Sequence, residues 1–96
     1  MIRHRVIANL RTLAISLGSI VDGCEWHLFG SVDRDEEDAA DIDLMIFCEN
    51  DAQADALRLA IDLDALELPI HLSLMTFKEA AKIKACNMQS SCIIFP

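Results

Sequence analysis

Basic residues are scarce in this sequence. Its 96 residues include 8 Lys and Arg against 16 Asp and Glu, which gives a formal net charge of −8 at pH 7. A function built on electrostatic binding to a nucleic-acid backbone or an anionic membrane needs the opposite balance. The composition therefore argues against both partners. An anionic substrate would need a metal ion or a helix N-terminus to offset the repulsion.

Long apolar runs and cysteine motifs are also missing. No apolar stretch reaches the roughly 18 residues of a transmembrane helix, so the sequence predicts no membrane span. The spacing of the four cysteines fits neither a zinc site nor a C-x-x-C redox motif. Since no secretory signal pattern is present, we expect a cytoplasmic protein with reduced, mostly buried thiols. A disulfide between Cys86 and Cys92 is the less favoured alternative.

The residues that are present predict one globular domain over residues 1–96. Hydrophobic residues make up 53% of the chain and charged residues 25%, which is typical of a folded protein. The order of predicted elements is α-β-β-α-β-α, which indicates an α+β fold with a small mixed or antiparallel sheet of three or four strands covered by helices. Apolar spacing predicts helices over 2–17, 51–66 and 77–85, and strands over 26–29, 42–48, 70–75 and, as a possible edge, 92–95.

Capping residues support two of these helices. Asn50 or Asp51 can accept hydrogen bonds from free backbone N–H groups at the start of the second helix. Thr76 and Glu79 have the spacing of a capping box at the start of the third. The apolar face of the second helix is predicted to be Ala56, Leu59, Leu63 and Leu66.

Two aspartates, Asp41 and Asp43, stand two residues apart at the start of an apolar strand. Side chains at this spacing leave the same face of a strand. Carboxylates so close repel each other unless a cation lies between them. Mg²⁺ prefers one or two carboxylates together with substrate phosphate oxygens, so the pair is a candidate metal site.

Gly30 and Ser31 end the preceding strand, and they are the candidate phosphate-binding residues. If the two strands pair antiparallel, the end of the first lies beside the start of the second, and the Gly-Ser turn faces the acid pair. Glycine allows close backbone approach, and a helix beginning near Ser31 would aim free N–H groups at phosphates. A phosphate site and a metal site would then share one edge.

The pattern of Leu-Phe-Gly-Ser over 28–31, followed by Asp-Ile-Asp-Leu over 41–44, resembles the nucleotidyltransferases of the DNA polymerase β superfamily, especially the minimal ones. The resemblance runs from the first helix to the last. It implies that Gly30 and Ser31 hold the triphosphate of a nucleoside triphosphate and that Arg34 takes the place of a common substrate-binding arginine. It also implies that Asp41 and Asp43 bind Mg²⁺ for nucleotidyl transfer, AMP from ATP being the commonest case.

The resemblance also implies a third carboxylate on a neighbouring strand, and here the sequence departs from the family. His71 or Ser73 stands where the family commonly has Asp. Glu67 is a poor substitute, because it precedes Pro69 and lies about 13 Å from residue 71 along an extended chain. A neutral imidazole accepts a proton near pH 7 but is a weak ligand for Mg²⁺. Three alternatives stay open: His71 replaces the base, a partner completes the site, or catalysis is lost.

The favoured hypothesis is a Mg²⁺-dependent nucleotidyltransferase acting on a hydroxyl acceptor, with Asp41, Asp43 and His71 as catalytic residues. The resemblance allows that it is the antitoxin of a helical HEPN-type toxin pair. The alternative is a degenerate, non-catalytic module that binds and regulates a partner protein, and a third is a purely structural domain. A shallow cleft on so small a sheet leads us to expect a homodimer or a hetero-complex.

Overall fold

The computed structural model describes residues 2–34, 41–62, 66, 68–83 and 91–95. Helix α1 spans Ile2–Ser16, and a 3₁₀ turn over Gly18–Val21 leads to strand β1, Glu25–Phe29. A single helical turn, α2, covers Gly30–Asp33 and precedes strand β2, Ile42–Cys48. The remaining elements are α3 at Asp51–Ala60, β3 at Ile70–Thr76, α4 at Phe77–Ile83 and β4 at Ser91–Phe95.

The four strands form one mixed sheet in the order β3-β2-β1-β4. β1 runs antiparallel to both β2 and β4, and β2 runs parallel to β3. A parallel pair needs a crossover, which α3 supplies. The predicted α+β class, with a small mixed sheet covered by helices, is confirmed, and so are the strands around 42–48 and 70–75 and the edge strand near the C-terminus.

One face of the sheet carries the main core. The even-numbered residues of β1 and β2 point into it and are almost fully buried, as are residues of α1 and α3 that pack against them. The largest of these side chains are Trp26, Leu28, Leu44, Ile46, Leu10 and Leu57. The predicted alternation in β3 is confirmed, since Ile70, Leu72 and Leu74 pack towards this core while His71 and Ser73 are exposed.

The opposite face is covered only in part by the described residues. Helix α4 packs on its far end, where Phe47 and Ala80 form a second small cluster with Met45, Met75 and Phe77. The near end, where β2 and β3 begin, carries polar side chains. None of the described helices has the length and apolar character needed to cross a membrane.

The predicted extent and buried face of the second helix were wrong. Asn50 caps α3 as expected, its Oδ1 accepting from the Gln53 N–H at 2.8 Å. However, α3 ends at Ala60, and Leu59 is 89% exposed. The buried residues are Ala54, Leu57 and the following Ile61. Both sets fit a spacing of three and four residues, so periodicity alone could not choose the face.

The capping box at α4 is confirmed. The Thr76 N–H donates to Glu79 Oε1 at 3.0 Å, and the Glu79 N–H donates to Thr76 Oγ1 at 3.1 Å. The hydrogen bond from the Thr76 backbone is the main reason that the pKa of Glu79 lies below its usual value. The described part of α4 ends at Ile83, so the predicted end at Ala85 lies outside the described residues.

We expect Thr76→Ala to lower the free energy of unfolding by about 1 kcal/mol, because it removes a side-chain cap. Thr12→Ala is the control, since the Thr12 hydroxyl makes only an exposed bond to the Ala8 carbonyl within α1. Urea denaturation measures both. Folding lowers the pKa of Glu79. The contribution of its carboxylate to the free energy of unfolding is therefore present at neutral pH and is lost as the pH falls through the folded-state pKa. Equal losses for the two variants would contradict the capping assignment.

Candidate functional site

The candidate site lies where β1 ends and β2 begins. In the antiparallel register Phe29 pairs with Asp43, so the residue after Phe29 reaches the start of β2. This confirms the expectation that the Gly-Ser turn and the acid pair meet at one end of the sheet. Helix α2 begins at Gly30 and turns the chain away from the strand.

Gly30 approaches Asp43 so closely that a side chain at position 30 would displace the carboxylate. Its φ is +79°, and a Cβ built there would lie 2.1 Å from Asp43 Oδ2. Two independent features therefore favour glycine: the left-handed backbone and the space that the carboxylate occupies. The carboxylate of Asp43 consequently lies against bare backbone at the start of α2.

Ser31 and Arg34 follow on the same short element. The Ser31 backbone belongs to the single turn of α2, and its side chain lies outside the described part of the structure. The Arg34 N–H donates to the Gly30 carbonyl at 3.2 Å and closes the turn. The exposed Arg34 side chain has an interaction of its own, so its predicted role in substrate binding rests on position alone.

His71 comes to the site from the neighbouring strand. Parallel pairing of β2 and β3 places His71 directly opposite Asp43, and the Ile42 N–H donates to the Pro69 carbonyl at 2.8 Å. His71 Nε2 lies 3.3 Å from Asp41 Oδ2, with the two side chains 65% and 47% exposed. Both groups are open to water, so their attraction contributes little to stability.

The strand register distinguishes the two positions considered for the third acid. His71 pairs with Asp43, whereas Ser73 pairs with Met45, one pleat further from the acid pair. Residue 71 is therefore the position that faces the site. Glu67 lies outside the described residues.

The donor set suits a hard cation bound by few protein ligands. Among the described residues, no cluster of three or more His, Cys, Asp or Glu side chains is arranged to hold a metal ion. Asp41 and Asp43 offer two carboxylates, which is the number that Mg²⁺ commonly takes when substrate phosphates complete its shell. The Asp43 carboxylate lies directly against the backbone of Gly30, where the candidate phosphate-binding turn begins. The imidazole of His71 adds a nitrogen, which suits transition metals better than Mg²⁺.

A concave region of about 450 Å³, away from the candidate site, was not predicted from the sequence. It lies at the opposite end of the parallel pair, where β2 and β3 end and α3 and α4 begin. Acidic and basic side chains both line it: Glu49, Asn50, Asp51, Thr76, Lys78, Glu79 and Lys82. The caps of the two helices are satisfied by their own side chains there, so we assign this region no ligand.

The described cysteines match their expected structural role. Cys24 and Cys48 are free and buried at the far end of β1 and β2. Burial is the main reason that the pKa of Cys24 rises to about 12, and burial also raises the pKa of Cys48. These thiols are therefore poor nucleophiles. Cys86 and the Cys92 side chain lie outside the described part, so the alternative of a disulfide between them stays a prediction.

No family model, curated protein or solved structure matches this chain. The structure by itself defines a small α+β domain with two carboxylates, an imidazole and a glycine turn at one end of a mixed sheet.

Proposed function

We propose that this domain is a minimal nucleotidyltransferase that transfers a nucleotidyl group, AMP from ATP in the simplest case, to a hydroxyl acceptor in a Mg²⁺-dependent reaction. The approach of Gly30 to Asp43 is the observation that carries the proposal. It brings the candidate phosphate-binding turn into contact with a carboxylate that can hold a cation, although the turn follows β1 and the carboxylate belongs to β2.

Each residue has a separate task in this proposal. The carboxylates of Asp41 and Asp43 hold Mg²⁺, which offsets the charge of the triphosphate when bound. Gly30 and Ser31 receive the phosphates because their backbone begins a helical turn beside Asp43. Without the cation, a chain of net charge −8 would repel ATP. Arg34 supplies a positive charge near the same turn.

His71 takes the role of base. It faces Asp43 across the sheet and contacts Asp41 through Nε2, so a neutral ring can be oriented by the carboxylate and accept a proton from an acceptor hydroxyl. Because His71 is exposed to water and the described residues place no third carboxylate beside it, we expect this base to assist the reaction only weakly. We therefore expect slow transfer by the isolated domain.

The second candidate is a degenerate module that binds a nucleotide or a partner without turnover. The imidazole where a carboxylate is expected favours it, and so does the exposure of Asp41 and His71. A partner chain, in a homodimer or in a hetero-complex such as one with a HEPN-type toxin, would exclude water from the site under either proposal. Both place the protein in the cytoplasm, where its buried thiols stay reduced.

Calorimetric titration of ATP with and without Mg²⁺ tests the metal site. We expect the wild type to bind ATP only with Mg²⁺, and Asp41→Asn/Asp43→Asn to lose this dependence because two charged oxygen ligands are removed at nearly constant shape. Without metal the variant should be at least as stable as the wild type, since like-charge repulsion is relieved.

Asp22→Asn/Asp55→Asn is the control, because it removes the same charge from exposed positions outside the site. Equal ATP affinity of the wild type and the Asp41→Asn/Asp43→Asn variant in the presence of Mg²⁺ would refute the metal-site proposal. Turnover of labelled nucleotide then separates the enzyme from the non-catalytic module.

A further inference from the structure

The outer edge of β3 is open. Among the described residues, β3 pairs only with β2 and lies at one end of the sheet order. The Ile42 N–H donates to the Pro69 carbonyl, which fixes the alternation along the strand. In a parallel ladder, Pro69, His71, Ser73 and Met75 then direct their backbone groups to β2. The N–H and C=O groups of Ile70, Leu72 and Leu74 point outward.

The next outward residue ends this open stretch. The Thr76 N–H is occupied by Glu79 Oε1 at 3.0 Å, as part of the capping box. Three successive outward residues, 70, 72 and 74, are therefore available to another strand. Leu72 and Leu74 are only partly buried, although they pack against the main core.

The opposite edge of the sheet differs, because it is protected. Arg11 Nε donates to the Ile94 carbonyl at 2.7 Å, so α1 supplies a charged side chain to the backbone of β4. The pairing of β4 with β1 also contains an irregularity between Trp26 and His27. Bulges and charged residues are the usual means by which proteins block edge strands. β3 has neither, since Ile70–Thr76 contains no Asp, Glu, Lys or Arg.

We propose that the edge of β3 is a homodimer interface, in which a second copy pairs its own β3 antiparallel about a two-fold axis at Leu72. This register makes pairs between Ile70 and the partner's Leu74, and between Leu72 and the partner's Leu72. All outward N–H and C=O groups of these residues are then used, which gives six hydrogen bonds from the three hydrogen-bonded pairs of an antiparallel ladder.

Charge and side-chain chemistry select a second copy as the occupant. The chain has a net charge of −8, so most surfaces of two copies repel each other, but an uncharged strand brings no like charges together. On the core side, each apolar residue meets an apolar residue. On the other side, His71 meets the partner's Ser73, next to the candidate site. A shift of two residues in one direction would bring Thr76, whose N–H is already occupied, into the pairing, and a shift in the other would place Leu74 opposite Leu68, outside the strand.

Light scattering across a dilution series tests the interface. We expect a twofold mass for the wild type at high concentration, falling on dilution because a pairing of single strands is small for a specific interface. Leu72→Glu should remain monomeric, since two carboxylates would meet at the axis. Leu59→Glu, the same change at an exposed leucine of α3, should dimerise like the wild type. Far-UV circular dichroism checks that both variants fold.

Cysteine cross-linking tests the register without disrupting the strand. Under mild oxidation, Leu72→Cys should form a disulfide-linked dimer in excess of the wild-type background, because only residue 72 faces its own copy. Leu74→Cys should not, since it faces Ile70. A wild type that is monomeric throughout, dimerisation by Leu72→Glu, or equal cross-linking at 72 and 74 would each overturn the proposal. So would β3 pairing only with a different protein. No nucleotide enters these experiments, so their failure leaves the proposed activity intact.

Discussion

Gly30→Ala should abolish most of the Mg²⁺-dependent ATP binding and lower any nucleotidyl transfer by about a hundredfold, because a misplacement of about 1 Å at a reacting centre costs rate on this scale. The new methyl group would lie 2.1 Å from Asp43 Oδ2. The carboxylate must therefore move by about 1 Å to restore normal van der Waals contact. The φ of +79° adds a backbone cost of about 1–2 kcal/mol to the free energy of unfolding.

Gly18→Ala separates these two effects. Gly18 has a φ of +65°, but a Cβ there would meet nothing within 4 Å. Both variants should therefore lose the backbone contribution in urea denaturation, and Gly30→Ala should lose more because its methyl group also displaces Asp43, while only Gly30→Ala loses Mg²⁺-dependent ATP binding in calorimetry. Loss of binding in both variants, or in neither, would show that the contact between Gly30 and Asp43 has no role in the site.

His71→Asp should strengthen Mg²⁺ binding and raise nucleotidyl transfer at least tenfold, a smaller gain than the roughly 10²–10⁴-fold effect of full general-base assistance. The register places residue 71 opposite Asp43, so a carboxylate there would stand beside the other two. It would supply the oxygen ligand that imidazole does not offer to Mg²⁺. Without metal, three close carboxylates should repel each other, so Mg²⁺ should raise the Tm of this variant more than that of the wild type.

Ser73→Asp is the matched control for this gain. Residue 73 shares the face of the strand but pairs with Met45, one pleat from the acid pair. In the proposed dimer it would lie beside the partner's His71, so both variants are compared in the Leu72→Glu background, which does not form that dimer. The assays are transfer of labelled nucleotide and a thermal shift with Mg²⁺. Greater metal affinity in Ser73→Asp than in His71→Asp would refute the placement of the third ligand at 71. Fast wild-type turnover that His71→Ala removes would instead make the histidine a competent base.

Local patterns predicted the elements of the fold well. The strand over 42–48 is a continuous apolar run, and β3 alternates cleanly, so both could be located from neighbouring residues alone. The capping box of Thr76 and Glu79 could also be predicted from the sequence, because its two partners are three residues apart. The buried face of α3 could not be predicted, because two apolar sets fit one helical period and only packing against the sheet selects Leu57 over Leu59.

The sequence by itself determined which chemical groups the candidate site has: two carboxylates two residues apart, a glycine at the end of a strand, and an imidazole in place of a third acid. Only the tertiary structure decided which of them meet. The contact of Gly30 with Asp43 follows from the antiparallel register of β1 and β2, and the pairing of His71 with Asp43 follows from a parallel register across the α3 crossover. Within the described residues, strand order also leaves the outer edge of β3 unpaired while Arg11 covers β4. Registers and edges arise from contacts between residues that are not neighbours in the chain, and local periodicity restricts a strand to one facing without choosing which residue of the next strand it pairs with.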